Sequence, residues 1–181
     1  MIFWTADLHF GHANILKHQV QRAGAFKDIV EMEDHFITNI NKLVLPNDEL
    51  WVLGDFVWKA SRVGHFRQRL KVRKLHIVQG NHDVPSLRNH VSSFDSMVYR
   101  RFGNLHFHLT HYPMASWRGR FAAKSIHLYG HSHGTLEDTL SITFPGRRSM
   151  DVGIDNAFKI LGEWRPFSMD EVLRLLGVQN A

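Results

Sequence analysis

Five times along this chain a short apolar run, of the kind that forms a buried strand, stops at polar residues. The stops are Asp7-Leu8-His9, Gly54-Asp55, Gly80-Asn81-His82-Asp83, His111 and Gly130-His131-Ser132-His133. This repetition restricts the fold more than any other feature. In open α/β sheets the carboxyl ends of the strands are where ligands collect, because core strands supply rigidity while loops carry the donors. Glycine in three of the five clusters lets the backbone turn sharply and approach a bound group closely.

The segments between the clusters alternate in type. Met1 to Ala6, Leu50 to Leu53 and Leu75 to Gln79 read as buried strands. Asp28 opens a helix to about Val44, with Ile29, Met32, Phe36, Ile37, Ile40, Leu43 and Val44 on one face and early acids that suit a helix N-terminus. A basic helix is expected from about Ser61 to Lys71, with Val63, Phe66 and Leu70 inward. The second half is richer in strand. Met97 to Phe102 and Leu105 to Thr110 flank a Gly103-Asn104 hairpin turn, and Ile126 to Tyr129 leads into Gly130. Further strands are expected near Leu140 to Phe144 and Met150 to Gly153, and Ser168 with Glu171 makes a capping box for a last helix. The pattern predicts an α/β layered domain.

The length of 181 residues and a 44% hydrophobic content suit one compact domain spanning 1–181 and exclude disorder through low hydrophobicity. No apolar run approaches the roughly 20 residues that span a bilayer. The first ten residues carry Asp7 and His9 rather than a basic leader, so a soluble cytoplasmic protein without membrane contact is expected, and no protein partner is inferable. There is no Cys, so any metal is held by nitrogen and oxygen. The net charge of +5 is local in origin: from Phe56 to His127 there are thirteen Lys and Arg against Asp83 and Asp95 alone. Such a basic third favours phosphate-rich partners, although a solvated basic surface accounts for the charge equally well.

The clustered residue types fit a metal site. Asp, His and Asn form the mixed oxygen and nitrogen set suited to Mn, Fe, Zn or Ni, and less ideally Mg. Seven candidate ligands (Asp7, His9, Asp55, Asn81, His111, His131 and His133) are too many for one tetrahedral ion and suit two ions sharing a carboxylate. Spacing of two, in Asp7-x-His9 and His131-x-His133, places both side chains on one face of an extended segment. Alone, Asp-x-His is weak, whereas Gly-Asn-His-Asp is expected by chance in roughly one chain in a thousand of this length. His18, His35, His65, His76, His90, His106, His108 and His127 read as surface or sheet residues, and His12 as a support behind His9.

From Asp7 through His133, about seven-tenths of the chain, the ordered motifs resemble those of the calcineurin-like metallophosphoesterase superfamily. The opening Asp7-Leu8-His9-Phe10-Gly11-His12 is similar to that of small standalone bacterial and phage members. The resemblance implies a four-layer αββα sandwich of two mixed β-sheets flanked by helices. It implies that Asp7, His9 and His133 hold one divalent metal ion and Asn81, His111 and His131 a second, with Asp55 bridging both; spacing alone does not separate the two sets. Manganese is the expected ion, with Fe, Ni, Zn or Mg as alternatives. The implied chemistry is phosphate-ester hydrolysis by a hydroxide bridging the ions, with His82 as the substrate-facing catalytic histidine. Trp58 is a departure, because the protein-phosphatase branch has there an Asp that orients this histidine; Asp83 reads as that partner or as a helix cap.

The substrate is less sharply written. Arg118, Arg120 and Lys124 could grip phosphate, and Trp117 or Phe121 could stack on a base, against a solvated loop with one or two aromatics folded inward. The basic bias favours a phosphodiester of a nucleotide or nucleic acid, with a small phosphomonoester as rival. A non-catalytic scaffold and a nucleic-acid binder with structural metals are alternatives outside the enzyme class. Asp151 and Asp155 either touch the site or shape a turn.

Overall fold

Strand-forming runs buried on both sides build the centre of the molecule. In the computed structural model, which describes residues 1–178, the last three positions of the expected 1–181 domain lie outside the described residues. Ile2–Thr5 (β1), Glu49–Val52 (β2), Lys74–Val78 (β3) and Ser93–Asp95 (β4) run parallel, and Phe167–Ser168 (β9) pairs antiparallel to β1, giving the order β4-β3-β2-β1-β9. In the second sheet, Met97–Phe102 (β5) pairs antiparallel to Leu105–Thr110 (β6). Ser125–Tyr129 (β7) and Ser149–Asp151 (β8) follow in parallel, in the order β5-β6-β7-β8. Both sheets are mixed and stack into the αββα sandwich.

Period-two alternation assigns the side chains to two cores. Phe3, Leu50, Val52, Leu75 and Ile77 face the helices Ile15–His18 (α1), Val20–Ala25 (α2), Ile29–Leu43 (α3) and Val63–Arg69 (α4). Trp4, Trp51, Leu53 and Val78 face Leu105, Phe107, Leu109, Ile126 and Leu128 between the sheets. The Asp28 side chain accepts from Glu31 N–H at the start of α3, as its early acids suggest. The basic helix is shorter than expected: a 3-10 turn at Ala60–Arg62 precedes α4. At the chain's end Ile154–Leu161 (α6) precedes β9, and Met169–Leu175 (α7) begins with the predicted Ser168–Glu171 capping box.

One expected strand is a helix. Residues 140–144 lie in Glu137–Thr143 (α5) and just beyond it. The alternation of Leu140, Ile142 and Phe144 mimics a strand, but Ile142 is 82% exposed. Strands β7 and β8 are parallel and cannot be joined by a hairpin, so the connecting segment must cross back over the sheet. Glu137 and Asp138 in the first turn favour the helical form there. Glu137 anchors it to the outer face by accepting from Tyr129 Oη and Arg147. Among the described residues no helix is long and apolar enough to cross a membrane.

Candidate metal centre

All seven candidate ligands and His82 come together at the carboxyl ends of β1, β2, β3, β6 and β7. The loops after β1 and β2 are laced side by side: Asp7 N–H donates to Gly54 O (3.0 Å), His9 N–H to Asp55 O (2.8 Å) and Phe10 N–H to Phe56 O (3.0 Å). The donor atoms of Asp7, His9 and His133 lie within 4.8 Å of one another, as do those of Asp55, His111 and His131. Asp55 joins the two groups, its Oδ2 being 3.6 Å from His9 Nε2 and 3.5 Å from His111 Nε2. Asn81 Oδ1 lies 3.0 Å from His111 Nε2.

The backbone is strained only where these ligands sit. Asp7, His9, Asp55, His131 and His133 have positive φ, between 50° and 68°, and among the described residues no other non-glycine residue does. Each left-handed L-residue costs roughly 1–2 kcal/mol, and such strain gathers at functional sites. Two glycines allow the close approach. A Cβ on Gly54, at φ 94°, would lie 2.1 Å from His111 Nδ1, and one on Gly80 would lie 2.2 Å from Asp55 Oδ1.

A supporting layer fixes the imidazoles. His133 Nδ1 donates to Asp155 Oδ2 (2.6 Å) and His111 Nδ1 to Leu53 O (2.8 Å), so each presents Nε2 to the site. Arg22, fully buried, reaches Asp155 from Nε (2.8 Å) and from its second terminal nitrogen (2.6 Å), which also donates to Asp7 O (2.6 Å). Burial alone would raise the Asp155 carboxyl, but Arg22 and His133 outweigh it and hold it far below the usual carboxylate range. Asp151 accepts from Ser132 Oγ (2.6 Å), Gly134 N–H (2.8 Å) and Gly153 N–H (2.6 Å), so it shapes the loop that carries His131 and His133. Asp83 does not cap the following 3-10 turn. It accepts from Asp55 N–H (2.9 Å), Phe56 N–H (2.8 Å) and Gly80 N–H (2.9 Å), tying two ligand loops together.

The donor set fits divalent ions. Both ring nitrogens of His9 are buried without a hydrogen-bond partner. Burial, with Arg22 and His133 adding, pushes its pKa far down, so it stays neutral with a lone pair free on one ring nitrogen. The free Nε2 of His111 faces the oxygen of Asn81, an opposition of two acceptors that a cation relieves. The Asp7 carboxyl is pushed well up by burial and by Asp151, Asp55 and Asp155, a concentration of negative charge suited to metal ions.

His82 is half-buried, and its N–H donates to Asp55 Oδ1 (3.0 Å). Its ring lies 5.6 Å from that of His9 and 4.5 Å from that of Trp58, which stacks on His12 at 3.8 Å and 4°. Trp58 thus fills by packing the position where a carboxylate partner was sought. Of the residues considered for substrate, Trp117 is buried and donates to Ser125 Oγ (3.1 Å), while Phe121 is exposed. Arg22 went unrecognised in the sequence, where nothing marks its short stretch Gln21-Arg22-Ala23; the roles of Asp151 and Asp155 were left open.

No protein-family model matches the chain. It is 28% identical over 177 residues to an uncharacterised protein of Methanocaldococcus jannaschii, with 97% of this chain and 90% of that protein covered. A protein of unknown function from Aquifex aeolicus has a similar structure, with a TM-score of 0.74, 21% identity and coverage of 97% of this chain and 98% of that one. An archaeal phosphodiesterase is more distant, with a TM-score of 0.44, 15% identity and coverage of 84% and 82%.

Proposed function

We propose that this chain, whose two mixed sheets and ordered Asp, Asn and His clusters resemble those of the calcineurin-like metallophosphoesterases, is a phosphoesterase with two divalent ions, acting on a phosphodiester of a nucleotide or nucleic acid. The observation that supports this best is Asp55, one of whose two carboxylate oxygens, Oδ2, lies 3.6 Å from His9 Nε2 and 3.5 Å from His111 Nε2, one histidine of each cluster. Asp7, His9 and His133 would hold one ion, Asn81, His111 and His131 the other, and Asp55 both, with Mn²⁺ the ion proposed. The chemistry supplied there by divalent ions would be a lowered pKa of bound water and withdrawal of charge from phosphate oxygens. The protein's part is positioning. Asp155 and the Leu53 carbonyl keep two imidazoles in one tautomer, and Asp83 and Asp151 hold the loops. The His82 imidazole, packed against Trp58, would donate to a phosphoryl oxygen or protonate the leaving oxygen. The diester preference rests on the thirteen Lys and Arg set against two Asp between Phe56 and His127.

The test is hydrolysis of a chromogenic phosphodiester and its matching monoester by metal-stripped protein, with and without Mn²⁺. Turnover should need the metal, favour the diester and fall by at least about 100-fold in His131→Ala. A folded protein inactive on both esters with Mn²⁺, Ni²⁺, Zn²⁺ or Mg²⁺ would overturn the proposal in favour of a binding role.

A further inference from the structure

Along β5 the outer face of the second sheet is exposed beside the metal centre, and its composition is unusual. Tyr112, next to His111, is 49% exposed and packs its ring 4.5 Å from that of His131. From there a groove of about 390 Å³ runs past Asn81, Ser96 and Met114 to Met97 at the start of β5. The same strand face continues with Tyr99 and Arg101, paired with His108 and His106 of β6. At roughly 3.3 Å per residue, Met97 to Arg101 adds about 13 Å to the groove.

Tyr99 is 51% exposed; its hydroxyl lies 2.6 Å from His106 Nδ1 and its ring 4.8 Å from that of His108. The buried Trp117, seated 5.0 Å from the ring of His127, pins the next residue over this face, and the Arg118 guanidinium stands 5.8 Å from the Tyr99 ring centroid. Arg120 lies 4.8 Å from the ring of Phe121, which is 85% exposed. Open rings interleaved with guanidinium groups are what unpaired bases and a polyanionic backbone require together. A duplex keeps its base faces stacked on one another and has no use for these rings.

We propose that single-stranded nucleic acid lies along the β5–β6 face, with bases against Tyr99 and Tyr112 and phosphates near Arg101 and Arg118, and that the groove leads the strand to the metal centre. This rests on the phosphoesterase function above for what happens at the end of the groove, and adds the class of substrate and the residues that select it.

Fluorescence anisotropy of a 5′-labelled oligothymidylate in EDTA reads binding without turnover. Wild-type protein should bind it more tightly than a duplex of equal length. Tyr99→Ala and Arg118→Ala should each weaken binding about tenfold, and Arg118→Ala should reduce the slope of log affinity against log salt by about 0.7. Lys27→Ala, on the helical layer of the other sheet, should change neither. Hydrolysis of the small chromogenic diester should be unaltered in Lys27→Ala. Equal binding by wild type and both face variants would overturn the proposal, as would equal competition by duplex or by polyglutamate, the latter marking a surface for acidic peptides. If the face variants lose binding but wild type hydrolyses no ester, the binding track stands and the enzymatic function fails. If wild type hydrolyses the diester but the variants bind normally, the track alone fails.

Discussion

Burial pushes down the pKa of His9 and of His127, and the consequences differ with their partners. His9 has no protein partner for either nitrogen, which suits a ligand. His127, in the middle of β7, is satisfied on both sides, with Nε2 2.8 Å from Thr110 Oγ1 and Nδ1 2.8 Å from Ser149 Oγ. Burial, aided by His108 and Arg147, lowers the His127 pKa from 6.5 to about 3. Between those values the unfolded chain takes up a proton that the folded one refuses. The stability contributed here is therefore complete above the unfolded value and is lost as pH falls towards the folded one. At about 1.4 kcal/mol per pH unit, going from pH 7.5 to 5.0 should cost roughly 2 kcal/mol through this residue. Urea unfolding of metal-free protein at both pH values should show that much less pH dependence in His127→Gln, whatever its absolute stability. An unchanged dependence would mean that His127 is not buried in its neutral form. From sequence His127 was one of eight histidines assigned to surface or sheet, and nothing local distinguished the fully buried one.

Among elements, the loops that end β2 and β3 carry the candidate ligands Asp55 and Asn81 and are joined by Asp83. Its carboxylate receives four backbone N–H groups, from Asp55, Phe56, Gly80 and, at 3.5 Å, Val57. Burial raises its pKa and the first three donors oppose the rise. Removing the acceptor strands buried donors at roughly 1–3 kcal/mol each, so Asp83→Ala should lose about 3 kcal/mol or more in urea unfolding of metal-free protein. Asp83→Asn, which keeps one acceptor oxygen, should lose less. Losses below about 1 kcal/mol in both would show that the loops hold without it. The strands these loops follow were legible because parallel strands buried on both faces read as continuous apolar runs, and α3 because its apolar stripe and Asp28 cap agree. The α5 segment was not, since its strand-like alternation is overruled by the crossover that parallel β7 and β8 demand. Short pieces such as α1, β4 and β9 give too few residues for any periodicity to register.

At the scale of the whole molecule, the centre is where the two sheets meet, and this governs what was readable. The candidate ligands are hydrophilic residues stranded at the ends of apolar runs, so Asp7, Asp55 and His131 are visible in sequence. Their supports come from distant, unremarkable places: Arg22 from α2 and Asp155 from α6 meet only in the folded state. Burial and the mutual repulsion of Asp7, Asp151, Asp55 and Asp155 raise the Asp7 pKa, with Arg22 opposing. Five of the candidate ligands also bear left-handed backbone strain. Divalent ions would neutralise the carboxylates and cross-link β1, β2 and β3 of one sheet to β6 and β7 of the other, so metal binding should act as a global stabiliser. An ion that binds only the folded form contributes about 2.7 kcal/mol at one hundred times its dissociation constant. For a chain of this size that corresponds to roughly 5–11 °C in Tm. Metal-stripped protein should show this rise on titration with Mn²⁺, and Asp55→Asn should show less than half of it, because its amide can no longer neutralise two ions. A wild-type Tm that does not move with Mn²⁺, in protein folded by circular dichroism, would mean that the clustered Asp and His residues do not hold the ions. If Asp55→Asn kept the full shift, Asp55 would not be the link between the two clusters.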